Sequence, residues 1–458
     1  FSTEGPVPIK CSHRRAHATI VATITRGAMA TRTQGGNTRR VFYGWYVLAA
    51  SFVILFLNSG VRFLIGVMLR PLIDDFDWSR SAISAAVFVN MAVYAVAVIV
   101  AGRLYDRYGP KWVIIVSTIL FAAGYALMAV MTSLWHFILL YGVVIGASFG
   151  ATTAPLYGAI VSKWFLKRRG LVISLAMGGG CLGQFFLVPI FTDMMLDIGW
   201  RHTSLWMAAA VLIVNTILTL LFLRGDPEDL GITPYGAVAT TDSEATASVR
   251  PGSTTSATDP VNDLSLRQAM RTASLWFFSV AMFVCGAGDF LITTHLVVMV
   301  TDHDIPATQG ASMLAWFGLL SLGGILVAGP ASDRIGNKVP IALSFVLRVL
   351  LFVMILFFKG AVTFWIFALL FGFTWLITAP LTTTLAGRLY GFTHIGVIGG
   401  FITTIHHVGG GLWAFLGGVV YDLTGGYELA FIISAVVSAI AAACSLAIRE
   451  TRHYAPLR

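Results

Sequence analysis

Twelve stretches of this chain stay apolar for about 20 residues or more, the length an α-helix needs to cross ~30 Å of hydrocarbon. They lie at 43–69, 81–101, 113–132, 136–162, 170–193, 202–223, 274–300, 311–331, 338–358, 362–386, 393–420 and 428–448. In lipid every backbone N–H and C=O must be bonded within the protein, so each run is expected to be a helix. Gly and Pro inside the runs do not argue against this, because membrane helices tolerate both. The predicted fold class is an all-α membrane protein. Composition agrees: 57% of residues are hydrophobic, 11% are charged and the mean hydropathy is +0.82. A soluble protein carries about 25% charged residues, and a surface this apolar belongs in a bilayer.

Two turns between these runs share the pattern G-x-x-x-D-R-x-G-x-K. The first is Gly102-Arg103-Leu104-Tyr105-Asp106-Arg107-Tyr108-Gly109-Pro110-Lys111. The second, Gly329-Pro330-Ala331-Ser332-Asp333-Arg334-Ile335-Gly336-Asn337-Lys338, follows 227 residues later. The same offset relates Arg62-Phe63-Leu64-Ile65 to Asp289-Phe290-Leu291-Ile292, and Thr153-Ala154-Pro155 recurs as Thr378-Ala379-Pro380. A long internal repeat means two similar halves, and parallel repeats about an axis along the membrane normal place a substrate site between them near the midplane. The expected domains are a disordered basic tail at 1–42, a six-helix bundle at 43–223, a polar linker at 224–273, a second bundle at 274–448 and a tail at 449–458. The linker's middle, Ala237 to Pro260, is rich in Ala, Ser and Thr and reads as flexible.

With an even number of helices both tails lie on one side. That side collects 24 Lys and Arg, against Arg70, Arg80, Arg201 and Lys359 on the other. Basic residues in short loops stay inside, so both termini are expected in the cytoplasm of a multi-pass cell-membrane protein. The net charge of +9 is thus a topology device in contact with the lipid bilayer, with no nucleic-acid partner expected. Cys11, Cys181, Cys285 and Cys444 show no metal-ligand spacing and read as small apolar packing groups. No metal, no cofactor and no catalytic constellation is expected, and the chain does not read as an enzyme.

Few ionisable residues lie inside the runs: Arg62, Asp289, His295, Arg348, His406 and His407. A charge at the centre of a membrane helix costs about 2.5–3.5 kcal/mol, so each needs a partner or a wet cavity. Arg62 is a receptor for a carboxylate or snorkels to the surface. Asp289, its mate in the repeat, exchanges a proton during transport, forms a fixed ion pair or serves a helix kink beside Gly286 and Gly288, and pairing with Arg62 is expected when the site is empty. Arg348 reads as structural, capping backbone carbonyls or pairing inside the second half. His406 and His407 project about 100° apart, so at most one readily faces a central cavity. His295 reads as a satisfied core histidine more than a functional one. Tyr157 hydrogen-bonds an anion or simply packs.

The D-R-x-G turns resemble the signature between the second and third helices of the major facilitator superfamily of secondary transporters. Further stretches are similar to the monocarboxylate transporter family and the neighbouring oxalate–formate antiporters: Phe42-Tyr43-Gly44-Trp45-Tyr46-Val47, Lys163-Trp164-Phe165-Leu166-Lys167-Arg168-Arg169-Gly170, and Tyr421-Asp422-Leu423-Thr424-Gly425-Gly426-Tyr427. The resemblance implies two pseudo-symmetric six-helix bundles whose first, seventh and eleventh helices border the cavity. It implies turns that switch conformation through Gly102, Asp106, Arg107, Gly109, Asp333 and Arg334. It further implies alternating-access carriage of a small-molecule carboxylate with protons, by a monomer. The basic residue such families carry in the eighth helix is missing here between Ser312 and Ala331. A transporter-like receptor without net flux, or an exporter of larger amphipathic compounds, remain the alternatives.

Overall fold

The computed structural model describes residues 42–236, 263–391 and 393–450. All but Phe42 of the expected basic tail, the expected flexible stretch Ala237–Pro260, and residues 451–458 lie outside the described residues. The first membrane helices are α1 (Gly44–Phe76), α2 (Arg80–Tyr108), α3 (Pro110–Met128) and α4 (Leu134–Trp164). A helical stretch Arg169–Leu221 of 53 residues follows. At 1.5 Å per residue it would run ~80 Å, far longer than the hydrocarbon core. Gly199, at φ 80° and ψ 158°, is non-helical and divides it into α5 (169–198) and α6 (200–221). The second half holds α7 (Ala273–Thr301), α8 (Ala307–Ile335), α9 (Lys338–Phe357), α10 (Ala361–Tyr390), α11 (Ile395–Thr424) and α12 (Glu428–Ala447). The described residues thus supply twelve crossings, six in each half.

Three of these helices are broken, and for two of them the sequence supplies the reason. The recurring Thr-Ala-Pro falls at the breaks in α4 and α10. Proline lacks an N–H and its ring clashes with the carbonyl four residues earlier. Thr153 accordingly turns extended, at φ −115° and ψ 167°, before Ala154–Trp164 resumes. In α10 the residue four before Pro380 is Leu376, where helix Ala361–Trp375 stops. The carbonyl freed at Thr152 is not left bare: Asn58 Nδ2 donates to it at 3.0 Å, and Asn215 Nδ2 donates to Asn58 Oδ1 at 2.7 Å. Ile138–Ile145 of α4 winds as a π-helix, and Asn90 Nδ2 donates to the Tyr141 carbonyl inside it. In α1, Gly44–Arg62 and Ile65–Phe76 meet at Phe63 and Leu64, where Tyr125 Oη donates to the Val61 carbonyl at 3.2 Å.

Small residues set the helix spacing, as they must where no hydrophobic effect pulls helices together. Gly142, Gly146 and Gly150, one turn apart on α4, press against Val89, Asn90 and Ala97 of α2. Gly179 and Gly183 of α5 sit under the backbone of Phe52 and Phe56 of α1, and Gly409 and Gly410 of α11 under Phe283 and Phe290 of α7. The glycine clusters therefore serve close packing. Large apolar side chains such as Trp135, Phe357 and Val362 stand more than 70% exposed. In water they would be a liability, and in hydrocarbon they are the expected outer face.

The halves meet along α2 against α11 and α5 against α8. Gln184 Nε2 donates to the Leu314 carbonyl at 2.9 Å, and the Ser321 hydroxyl to Cys181 Sγ at 3.4 Å. At the end of the molecule where α1 begins and α12 finishes, named the tail end below, the repeated turns adopt one backbone: Gly109 has φ 78° and ψ 169°, Gly336 φ 79° and ψ 172°. The expected linker is anchored at both ends. Tyr235 exchanges backbone hydrogen bonds with Trp164, Leu166 and Lys167 of the first half, whereas Leu264 N–H donates to the Tyr390 carbonyl of the second.

Candidate functional site

Near mid-membrane a chain of polar and aromatic groups crosses from one half to the other. It begins at Arg62, the last residue of the first α1 segment. Its guanidinium lies over the Tyr94 ring at 5.0 Å and the Phe149 ring at 4.6 Å. Arg62 has no carboxylate partner among the described residues. Tyr94, on α2, packs against the His407 ring at 4.6 Å and reaches the Thr153 hydroxyl at 3.4 Å. His407 Nδ1 donates to the Thr403 carbonyl at 2.8 Å, leaving Nε2 as an acceptor. The His407 and His406 rings are 5.1 Å apart.

His406 opens the second half of the chain. Its Nε2 is 3.2 Å from Asp289 Oδ2. The other oxygen, Asp289 Oδ1, is 2.8 Å from Arg348 Nη2, and both side chains are at most 2% exposed. Arg348 is further held by the Cys285 carbonyl at 3.2 Å and the Thr374 hydroxyl at 3.2 Å. Cys285, one turn before Asp289, brings Sγ to 3.5 Å from Oδ2 and to 3.4 Å from the Thr378 hydroxyl. Every charge in this pocket of the second half is thus compensated.

Several sequence expectations change here. Asp289 pairs with Arg348 and His406, not with Arg62, because side chains from α9 and α11 converge on α7 within one bundle. Arg348 does pair inside the second half. The two adjacent histidines both belong to the site, since the 100° between them turns His406 toward Asp289 and His407 toward Tyr94 of the first half. Cys285 is a polar neighbour of Asp289 and not merely a packing group. With Asp289 and His406 it forms the one group among the described residues that could hold a metal ion, its three donor atoms lying within 4.8 Å of one another. Sequence spacing could not show this, because two of the donors sit on α7 and the third on α11. Tyr157 is fully buried, and its hydroxyl finds no hydrogen-bond partner among the described residues. Tyr94, Phe149 and Thr374 went unnoticed in the sequence, where a tyrosine or phenylalanine in an apolar run carries no distinguishing mark.

A second cluster closes the end opposite the tails. Arg80, which starts α2 and is only 6% exposed, grips both oxygens of Asp302 at the end of α7 at 2.7 Å each. It donates to the Tyr427 hydroxyl at 2.9 Å and lies 3.5 Å over the Tyr421 ring. Tyr427 Oη in turn donates to His295 Nδ1 at 3.0 Å, and His295 Nε2 donates to the Ala414 carbonyl at 2.8 Å. His295 is therefore a satisfied core residue. Burial pushes the Tyr427 phenol well up from its ordinary range, so it stays a neutral donor. Asp422 Oδ1 and Oδ2 accept from the Arg80 and Ser81 amides, capping α2 across the interface.

Contacts between α2 and α11 run from this latch, where Gly418 meets the Arg80 backbone, through Gly411 beside Met91, to Tyr94 and His407. Toward the tail end the two repeated turns lack a latch of this kind. Asp106, Arg107, Asp333 and Arg334 are exposed and have no ion-pair partner among the described residues. The interface between the halves is thus pinned by an ion pair at the far end, and the repeated turns at the tail end make none among the described residues.

Comparison with known proteins agrees with this geometry. The family model of the Major Facilitator Superfamily matches residues 51–414. The chain is 24% identical to the uncharacterized MFS-type transporter YcxA of Bacillus subtilis, covering 88% of this chain and 94% of that protein. It is 26% identical to monocarboxylate transporter 13 of Rattus norvegicus, covering 86% of each. Among solved structures it is similar to the nucleoside transporter NupG, with TM-score 0.68 at 14% identity over 89% of this chain and 99% of that one. A bacterial homologue of the human lysosomal transporter Spinster, solved inward-facing and occupied, gives TM-score 0.65 at 16% identity over 88% and 96%. With two six-helix halves, a polar chain between them and a family model spanning both, this protein belongs to the major facilitator superfamily and is a membrane transporter.

Proposed function

We propose that this transporter carries small organic monoanions, most simply monocarboxylates, by alternating access coupled to protons. The observation that carries the reading is the charge balance at the centre. Asp289 is neutralised by Arg348, and Arg62 is left without a carboxylate partner among the described residues, between the rings of Tyr94 and Phe149 and the thioether of Met91. One half-buried cation calls for one negative charge. A guanidinium binds a carboxylate through two parallel hydrogen bonds, and the phenol of Tyr94 stands beside it to donate a third. A dianion would leave the site one charge in excess unless a proton came with it. The relatives named monocarboxylate transporters support the same class.

The ion-paired far end and the unpaired turns at the other end support a site that opens toward the tail end, the side whose Lys- and Arg-rich loops read as cytoplasmic. The His406–Asp289 pair supplies the proton step. A proton on His406 is held by Asp289 at 3.2 Å, and the added charge lies two rings from Arg62 along the chain His406, His407, Tyr94. Anion and proton then stabilise one another in the occluded state and leave together after the Arg80 latch opens. The turns at Gly102–Gly109 and Asp333–Arg334 close the tail end in the opposite state.

The test is uptake of a radiolabelled monocarboxylate such as lactate or pyruvate into proteoliposomes, with and without an inward proton gradient. Gradient-driven accumulation that disappears in Arg62→Ala supports the reading. Binding without flux identifies a receptor. Flux that is indifferent to Arg62 identifies a carrier of another substrate class.

A further inference from the structure

The two halves differ at one place where the repeat predicts sameness. In the second half, Glu450 fills the space behind the turn. Its Oε1 accepts from the Lys338 amide at 2.5 Å, and its carboxylate lies against Gly336. Lys338 Nζ meanwhile donates to the Leu446 and Ile448 carbonyls at 3.4 Å each. In the first half, Lys111 is the equivalent lysine, and its Nζ donates to the Leu220 carbonyl at 3.4 Å. The residue 227 positions upstream of Glu450 is Leu223, followed by Arg224. Where the second half places a carboxylate, the first therefore places an apolar residue and a cation.

What remains is a cavity of about 430 Å³ bordered by Tyr108, Pro110, Lys111, Trp112, Arg224 and Asp226. Asp226 is committed elsewhere, bound to Lys163 at 2.8 Å. Lys111 and Arg224 have no carboxylate partner among the described residues, and the buried Nε of Arg224 has no acceptor. The Lys111 amide is among the first of α3, which no carbonyl of that helix can satisfy. Trp112 and Tyr108 border the cavity and are 68% and 55% exposed. Exposed aromatics of this kind settle at the headgroup level of a membrane.

We propose that this cavity binds the phosphate group of an anionic phospholipid headgroup, which takes the place that Glu450 holds in the second half. Lys111 and Arg224 supply the countercharge, the α3 amides the hydrogen bonds, and Trp112 and Tyr108 the interfacial seat. The site lies directly behind the Asp106–Gly109 turn, so its occupant braces the switch element of the first half. It is separate from the central polar chain.

The experiment uses the purified full chain in detergent with dioctanoyl-phosphatidylglycerol, followed by native mass spectrometry and thermal unfolding. Saturable binding with a rise in Tm is expected, and none with dioctanoylglycerol, which lacks the phosphate. Lys111→Gln with Arg224→Gln should weaken binding about thirtyfold, at about fivefold per cation. Lys338→Gln, in the half that carries its own carboxylate, should leave affinity unchanged. Should the double variant fail to fold, Arg224→Gln alone should weaken binding about fivefold. Unaltered affinity in folded Lys111 and Arg224 variants, or absence of saturable binding, overturns the site. Inorganic phosphate competing at equal concentration overturns the lipid identity and makes it a soluble-oxyanion site.

Discussion

Asp289 and Arg348 form an ion pair at 2.8 Å that is almost wholly sealed from solvent, on helices α7 and α9 of the same bundle. A buried pair of this kind is worth little against an apolar replacement but is costly to break, because the surviving charge is left alone. Arg348→Met should therefore destabilise the protein by about 3–5 kcal/mol. Arg348→Met with Asp289→Leu should recover most of that loss. Thermal unfolding of the variants in one detergent measures both. A double variant no more stable than Arg348→Met would mean that the pair is not the reason for the loss.

His406 is the group we assign to the proton step. His406→Gln keeps a hydrogen-bonding side chain beside Asp289 but carries no proton at working pH. Exchange of labelled for unlabelled substrate should persist in this variant, while accumulation driven by a pH gradient should vanish. Accumulation at the wild-type level would move the proton step off His406.

The Arg80–Asp302 latch should hold the far end shut. Asp302→Asn removes the countercharge from a nearly buried guanidinium, which costs about 3–5 kcal/mol where the pair is closed and little where it is open. The population should shift toward the far-open state by a factor of roughly a hundred or more. A cysteine replacing Ser84, buried behind the latch, should then react with maleimide applied from the far side, and not when Asp302 is intact. Equal labelling in both backgrounds would show that other contacts close this end.

Asp106 is exposed and unpaired in the tail-open state, so its effect should lie in the other one. Asp106→Asn should leave thermal stability within about 0.5 kcal/mol of wild type, as surface substitutions do. It should nevertheless slow transport, because the turn contributes to closing the tail end. Unchanged uptake with normal expression would remove Asp106 from the switch.

Orientation can be read directly. Thr308 is exposed at the far end and Asp333 at the tail end. In a cysteine-free background an impermeant maleimide added to intact cells should label Thr308→Cys and spare Asp333→Cys. The reverse pattern would invert the topology drawn from the loop charges.

The sequence by itself determined the crossings and the division into halves, and it holds the cause of the breaks in α4 and α10, although those runs read as unbroken helices. These follow from local chemistry: run length against bilayer thickness, the missing N–H of Pro155 and Pro380, and the positive φ that Gly109 and Gly336 share. It also named every arginine, aspartate and histidine of the central chain, since a charge inside an apolar run is conspicuous. What it could not determine was who pairs with whom. The repeat set Arg62 opposite Asp289, but symmetry fixes depth in the membrane and says nothing of which third helix intervenes. Arg348 lies 59 residues beyond Asp289, and His406 lies 117 residues beyond it. Only the packing of α9 and α11 on α7, drawn close by Gly286 and Gly410, brings both within reach of one carboxylate. That packing leaves Arg62 without a carboxylate, and the free cation on which the proposed function rests is a product of the tertiary structure.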